Sequence, residues 1–554
     1  MALNDASIPA LLTRRARETP GVTILRKKDR GIWKATDWAT LARRAQGFAG
    51  GLTAAGLPLG SVVGVLSDIS RNAVAADLGT LGAGMVALAL HPSEPGEAVA
   101  HVLADSGCAL VFVEGEEQLD KVLHIRDRCP ALRRIVILDM KGLHDFSDPT
   151  CEGLAEFLAR VGDPGEFVAV APADVAVLAY TSGSVGAPRG VRLSHRNIMV
   201  QVAAGLALTS INDGDERLAF LPLAILVERM FGLYLSLAGG CISNLVESVE
   251  TVPENLAEIR PTVMIAPPRV WQRLARGLVA RAAQATQIQR SLYNWALRSG
   301  GNVGRRLVVR PALAAIGLDR VRCAWVGGAA VAPALLTQFA SLGITLTEFY
   351  GLTEAGGLAS IDAPIPGFDV RIDADGEVHI RGPHLAQGYQ DSAAFCGVEG
   401  WFATGDIGRI ENGRLRIDGR AGERIILDSG VVVMPAELEA GLRISRFIAD
   451  ALVSADGPSA LSCVVMVEQD VLDDWAQAQD MPPGNFSVLV QSRAVRDMLQ
   501  TEINRVNAAA PVRLGTFTVI DRRLEPGDPE LTPMMLLRRG FVVEKYRDMP
   551  NSVA

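Results

Sequence analysis

The sequence predicts an α/β protein with a large, mainly parallel N-terminal part, residues 1–420, and a small α+β C-terminal domain, residues 421–554. Three observations predict it. Short apolar strand runs alternate with helical patterns over most of the chain, which implies crossover units and helix-covered parallel sheets. Around residues 370 to 417 the pattern turns antiparallel, and beyond Gly419-Arg420 a unit of about 130 residues reads as a separate fold. At 554 residues the length suggests roughly three to four domain-sized units.

Met1 to Leu12 reads as an amphipathic first helix, because Arg14-Arg15 end its apolar run too early for a secretory leader. Leu41, Ala45, Phe48 and Leu52 fall at helical spacing. Val62 to Leu66, Ala109 to Val113 and Arg134 to Leu138 are buried-strand runs, with a helical pattern at Ala98 to Leu103. Further strands are expected at Val175 to Tyr180, Leu218 to Leu221, Val263 to Ala266, Cys323 to Val326 and Leu346 to Tyr350. In Arg409 to Ile417, Asn412-Gly413 between alternating runs marks a tight hairpin. No internal repeat or low-complexity tract is present.

Composition excludes several classes. With 49% hydrophobic residues the chain can bury large cores. A net charge of −8 argues against nucleic acid as partner. No apolar run approaches the roughly 18 residues of a transmembrane segment. The seven cysteines are scattered and lack C-x-x-C spacing, as expected for reduced thiols in a cytoplasmic protein without structural zinc. Lysine is confined to positions 27, 28, 34, 121, 141 and 545.

The chemistry-bearing motifs begin with Tyr180-Thr181-Ser182-Gly183-Ser184-Val185-Gly186-Ala187-Pro188-Arg189-Gly190, which follows a strand. Hydroxyls and glycines at this density let backbone N–H groups cradle phosphate. Val326-Gly327-Gly328-Ala329 and Tyr350-Gly351-Leu352-Thr353-Glu354 each end a strand, where open α/β sheets bind ligands. Trp401 to Asp406, Asp418-Gly419-Arg420, Leu221 to Arg229, Pro267 to Trp271 and Glu530 to Arg539 complete the set.

Together these motifs resemble the adenylate-forming superfamily, in its long-chain acyl-CoA synthetase branch, over essentially the whole chain. The resemblance implies a nucleotide site of Thr181, Ser182, Gly183, Ser184, Arg189, Gly327, Gly328, Ala329, Tyr350, Gly351, Thr353, Asp406 and Arg420. Asp406 is implied to accept the ribose hydroxyls, Thr353 to contact the α-phosphate, and Glu354 to hold Mg²⁺ if adenylation occurs. Ile225, Gly328, Gly351 and Leu352 line the implied acyl pocket. The C-terminal domain is implied to be mobile, hinged at Gly422, with Ser429 and Gly430 in the loop that lines the CoA tunnel.

Four positions depart from the family pattern. Val185 replaces threonine, Arg189 replaces lysine and Ile225 replaces histidine. Leu536 replaces the lysine that bridges substrate carboxylate and α-phosphate during adenylation. Leucine neutralises neither anion, and losing one such preorganised contact typically costs about 10²–10³ in rate. The implied activity is therefore an acyl-CoA ligase restricted to thioesterification, taking acyl-AMP and CoA to acyl-CoA and AMP. It would act on a bulky hydrophobic acid, as in antibiotic biosynthesis, with a separate adenylating ligase as functional partner. Two readings stay open. One is a complete ATP-dependent long-chain acyl-CoA synthetase that recruits another cation, with Lys545 and Arg538 nearest. The other is a non-catalytic nucleotide- or acyl-binding regulatory protein.

Overall fold

The computed structural model describes all residues except 1–4, 163, 182–187, 285–304, 362–364, 366, 393–394, 458–459, 482–484, 509, 526–527, 533–535, 547–551 and 554, with no side chains at 279–284, 305–306, 398 and 552–553. Two parallel sheets dominate. The first has seven strands, with Val62–Leu66 between Leu110–Val113 and Val86–Leu90, then Val175–Tyr180 and, antiparallel at the edge, Gly190–Ser194. The second has eight strands, parallel from Thr347–Tyr350 through Cys323–Gly327, Val263–Ala266, Glu216–Ala219 and Ile242–Leu245 to Thr23–Asp29. A four-stranded antiparallel sheet spans residues 369–420. The C-terminal domain carries its own sheet, built on Ile448–Ala455 and Leu461–Val467. Its separate core includes Leu442, Ala451, Leu472 and Leu499.

The predicted strands recur within one to two residues, and three local differences have physical reasons. The first helix is Ile8–Glu18, starting within the expected Met1 to Leu12, whose residues 1–4 lie outside the described residues: Ser7 caps it by accepting from Ala10 N–H at 3.3 Å, and Pro9 sits in its first turn. It runs on through Arg14-Arg15 because Ile8, Leu11 and Leu12 face the core. The strand expected at Leu218 to Leu221 is Glu216–Ala219, starting where it pairs with Ile242 and ending before Pro222. The hairpin Thr23–Asp29/Ile32–Asp37 was not expected. It turns on Arg30 and Gly31, both at positive φ, and its Arg26-Lys27-Lys28 run hides any apolar alternation. At the hairpin that was expected, Asn412 (φ 52°) and Gly413 (φ 76°) supply the turn.

The two large sheets are joined through a buried polar knot. After Pro222 the chain enters a π-helix, Glu228–Tyr234, that buries Arg229 (2% exposed). The Arg229 guanidinium donates to Asp77 on the helix Arg71–Gly82 of the first sheet, and Tyr234 Oη–H donates to the other Asp77 oxygen at 2.6 Å. Among the described residues no helix is long and apolar enough to cross a membrane, and all seven cysteines are free thiols.

Removing one partner of such a pair strands a charge in the interior. Asp77→Ala should cost about 3–5 kcal/mol in denaturant unfolding. A midpoint equal to that of the parent would show that the knot does not hold the sheets.

Candidate functional site

The crevice at the carboxyl ends of the strands gathers most of the implied nucleotide residues. Thr181 follows the strand Val175–Tyr180, and its loop is pinched at the base. Thr181 N–H donates to Arg189 O at 3.1 Å, and Arg189 N–H to Thr181 Oγ1 at 3.2 Å. Ser182, Gly183 and Ser184 lie outside the described residues. Gly327 ends the strand Cys323–Gly327 of the second sheet and must be glycine: an added Cβ would lie 2.4 Å from Phe349 O. At Gly351 the same atom would fall 1.5 Å from Gly357 O, so backbone packs where a side chain would be. Gly328 turns at φ 82°, and it and Ala329 are exposed. Leu352 is buried, while Ile225 is half-buried at the start of the helical run that carries Arg229.

Asp406 is the electrostatic centre. It is 4% exposed; one oxygen accepts from Tyr350 Oη–H at 2.5 Å and the other from Arg420 Nε at 3.0 Å. Burial raises its pKa above the ordinary carboxylate value, and the facing Arg420 only partly offsets this. Each carboxylate oxygen retains a lone pair, so the group can still accept from two ribose hydroxyls.

Around Glu354 the structure supplies two residues that the sequence did not single out. Tyr389 Oη–H donates to Glu354 Oε1 at 2.9 Å, and the Arg189 guanidinium stacks on the Tyr389 ring at 3.7 Å. Arg189 is also paired with Asp391 at 2.9 Å, which holds that carboxylate below its usual pKa. Neither Tyr389 nor Asp391 carries a spacing that a single sequence would flag. Mg²⁺ is held by one or two carboxylates plus substrate phosphates. Glu354 keeps one oxygen free of Tyr389, so it suits an ion that arrives with a nucleotide.

Leu536 belongs to a different group. Its half-buried side chain sits in a tight loop: Leu536 N–H donates to Thr532 Oγ1 at 3.1 Å and Thr532 N–H to Leu536 O at 2.7 Å. Next to it, Leu537 N–H donates to Asp450 at 2.8 Å, and Arg538 reaches the N-terminal part at Glu94, 3.2 Å away. Arg538 also donates to Leu531 O at 2.6 Å. Lys545 is held at 2.6 Å by Glu530, which is fully buried and also takes Arg522 at 2.8 Å. Burial raises Glu530, but Lys545 and Arg522 outweigh it and leave the pKa below its ordinary value.

Gly422 lies in the turn Ala421–Glu423, exposed, with no atom within 4 Å of an added Cβ. Beyond it, Ser429 and Gly430 form the exposed tip of the hairpin joining Ile425–Ile426 to Val432–Val433. Among the described residues no hydrogen bond or ion pair joins Leu536, Ser429 or Gly430 to the nucleotide group.

The fold is that of an α/β nucleotide-binding enzyme, and the AMP-binding enzyme family model matches residues 12–390. The chain belongs to that family. It is 28% identical to the long-chain-fatty-acid–CoA ligase FadD15 of Mycobacterium tuberculosis, over 98% of this chain and 96% of the relative. It is 26% identical to the long-chain-fatty-acid–CoA ligase ACSBG2 of Xenopus laevis, over 95% of this chain and 81% of the relative. Among solved structures, the adenylation domain of a carboxylate reductase from Mycobacterium chelonae superposes with a TM-score of 0.78 at 18% identity, covering 98% and 90% of the two chains. The anthranilate–CoA ligase AuaEII, in complex with anthranoyl-AMP, gives 0.75 at 16% identity, covering 98% and 97%.

If Asp406 binds the ribose as a carboxylate, affinity for AMP should fall as pH drops through its raised pKa, earlier than for an ordinary aspartate. Asp406→Ala should weaken binding by about 1.5–3 kcal/mol at neutral pH. Calorimetry that finds an unchanged Kd in the variant would remove Asp406 from the site.

Proposed function

We propose that this protein is an acyl-CoA ligase restricted to the second half-reaction, converting a preformed acyl-AMP and CoA to acyl-CoA and AMP. One observation carries the reading: position 536 is leucine, and among the described residues three cations that might stand in are already committed. Lys545 is bound to Glu530, Arg538 to Glu94 and Leu531 O, and Arg189 to Asp391 and the Tyr389 ring. Adenylation brings a carboxylate against an anionic phosphate and needs a cation between them. Thioesterification does not. The CoA thiol gives up its proton to solvent, the sulfur attacks the acyl carbonyl carbon, the bond from that carbon to the phosphate oxygen breaks, and AMP leaves with the electron pair.

In this reading residues 1–420 bind the adenylate and residues 421–554 swing about Gly422. Two anchors support that hinge. Arg420 is fixed to Asp406 on one side, while on the other Glu423 pairs with Arg539 of the C-terminal domain at 3.3 Å. Rotation would carry Ser429 and Gly430 to the CoA entry. It would also cover an exposed apolar edge, since Ile426 is 70% and Val432 53% exposed. The acid is proposed to be bulky and hydrophobic, by resemblance to the non-adenylating ligases of platensimycin- and platencin-type antibiotic biosynthesis. A separate ligase would then supply the adenylate.

A second reading, a complete ATP-dependent synthetase, is favoured by the names of relatives that match nearly the full chain. ATP–pyrophosphate exchange separates the two. The protein should make acyl-CoA from acyl-AMP and CoA but release little pyrophosphate from acid and ATP, and robust release would refute the restricted reading. Leu536→Lys should create measurable acid-dependent ATP consumption, with Arg189→Lys and Ile225→His adding to it.

The hinge is tested separately. Gly422→Pro fixes φ, and should lower CoA transfer while leaving acyl-AMP binding nearly unchanged. Turnover equal to that of the parent would place the hinge elsewhere.

A further inference from the structure

A cleft of about 620 Å³ opens on the first sheet where three of its parallel strands begin, with Gln390, between Tyr389 and Asp391, in its lining. Val62, Val86 and Val175 begin three adjacent parallel strands and line it, whereas the phosphate loop leaves the opposite end, after Tyr180. Register decides which side chains share its face. Val62 is level with Val86, Leu88 with Leu178, and Leu178 with Arg192 on the antiparallel edge strand. Side chains alternate with period two, so Val62, Val86, Leu178 and Arg192 lie on the same face. The mouth is formed by Leu59, Val168 and Val170, which converge over Gly84: a Cβ added there would lie 3.1, 3.6 and 3.7 Å from them. Leu59 is 70% and Val168 39% exposed, so the mouth presents hydrocarbon to solvent.

Two charged side chains line this cleft, Arg192 and Asp174. Asp174 is turned to its own backbone, accepting from Ala171 N–H at 2.8 Å. Arg192 is held by its main chain alone, donating to Gly388 O at 2.9 Å and accepting from Gln387 N–H at 2.9 Å. Its guanidinium has no hydrogen bond or ion pair among the described residues, unlike Arg189 three residues earlier. A planar fork of donors without a partner, set in an apolar wall, matches a carboxylate attached to a hydrocarbon body. The volume lies within the roughly 300–1,000 Å³ of small-molecule pockets.

We infer that this cleft is a second ligand site, distinct from the adenylate site, that takes one monomeric amphiphilic monocarboxylate. The carboxylate lies on Arg192 and the hydrocarbon runs past Val62 to the mouth at Leu59 and Val168.

Dodecanoate below its micelle concentration is the probe, titrated calorimetrically into the full chain. A non-reactive acyl-sulfamoyl adenosine is present to fill the adenylate site, so binding is read without turnover and independently of which half-reaction the protein performs. One equivalent should bind. Arg192→Gln should weaken it by about tenfold or more, the loss expected for a charge-assisted bond. Dodecanol should bind the parent at least as weakly as dodecanoate binds Arg192→Gln. Val168→Trp, at a partly exposed position that leaves the core intact, should block the mouth. No binding with the analogue present, equal binding of dodecanol, or affinity unmoved by both substitutions would each overturn the assignment.

Discussion

Arg229 is the side chain on which the arrangement of the two large sheets depends. A guanidinium 2% exposed is tolerable only with a fixed counter-charge, and Asp77 supplies it from the other sheet. The pairing constrains the π-helix Glu228–Tyr234 and therefore the residues just before it, including Ile225. The Arg217–Glu228 pair, also buried, ties the same segment to the strand Glu216–Ala219. Two charged contacts thus hold the helical segment that follows Ile225.

Charge is distributed unevenly between the two tasks of a nucleotide ligase. Asp406, the proposed ribose acceptor, is buried and oriented by Tyr350 and Arg420. Its burial is unfavourable for the fold, since a carboxylate with a raised pKa is destabilised in its charged form. Such a cost is consistent with a binding role. On the side of the anions the cations face elsewhere. Lys545 and Arg522 neutralise the buried Glu530, and Arg538 spans to Glu94. These contacts surround Leu536, whose hydrocarbon stands where the proposed reading misses a cation.

The sequence made the sheets legible because parallel strands buried on both faces read as short apolar runs, as in Val62–Leu66 and Val263–Ala266. Residues with an inflexible backbone role were legible for a similar reason: Gly327 and Gly351 stand where only glycine fits. The edge hairpin Thr23–Asp29/Ile32–Asp37 was hidden, because its lysines and arginine pair with distant acids such as Glu216 and Glu258. Tyr389, Asp391 and Glu94 escaped notice on the same ground. Each acts through a partner far away in the chain, and Arg189 lies 202 residues from Asp391. Pairing across such separations leaves no local spacing to read.

The turn Ala421–Glu423 is set apart by the anchors on either side of it. Gly422 does not sit in the left-handed region, and a Cβ would meet nothing there, so this conformation alone does not require glycine. What distinguishes the position is that restraint ends on both sides of it. Arg420 is bound to Asp406 and Thr404 O in the antiparallel sheet, and Glu423 to Arg539, which also bonds Glu439 and Val453 O in the C-terminal domain. Two residues lie between the last side chain anchored on one body and the first anchored on the other. The proposed rotation, concentrated in so short a link, would leave both of these ion-pair networks unbroken, whereas a hinge on either side would tear Asp406 from its arginine or Arg539 from its acids.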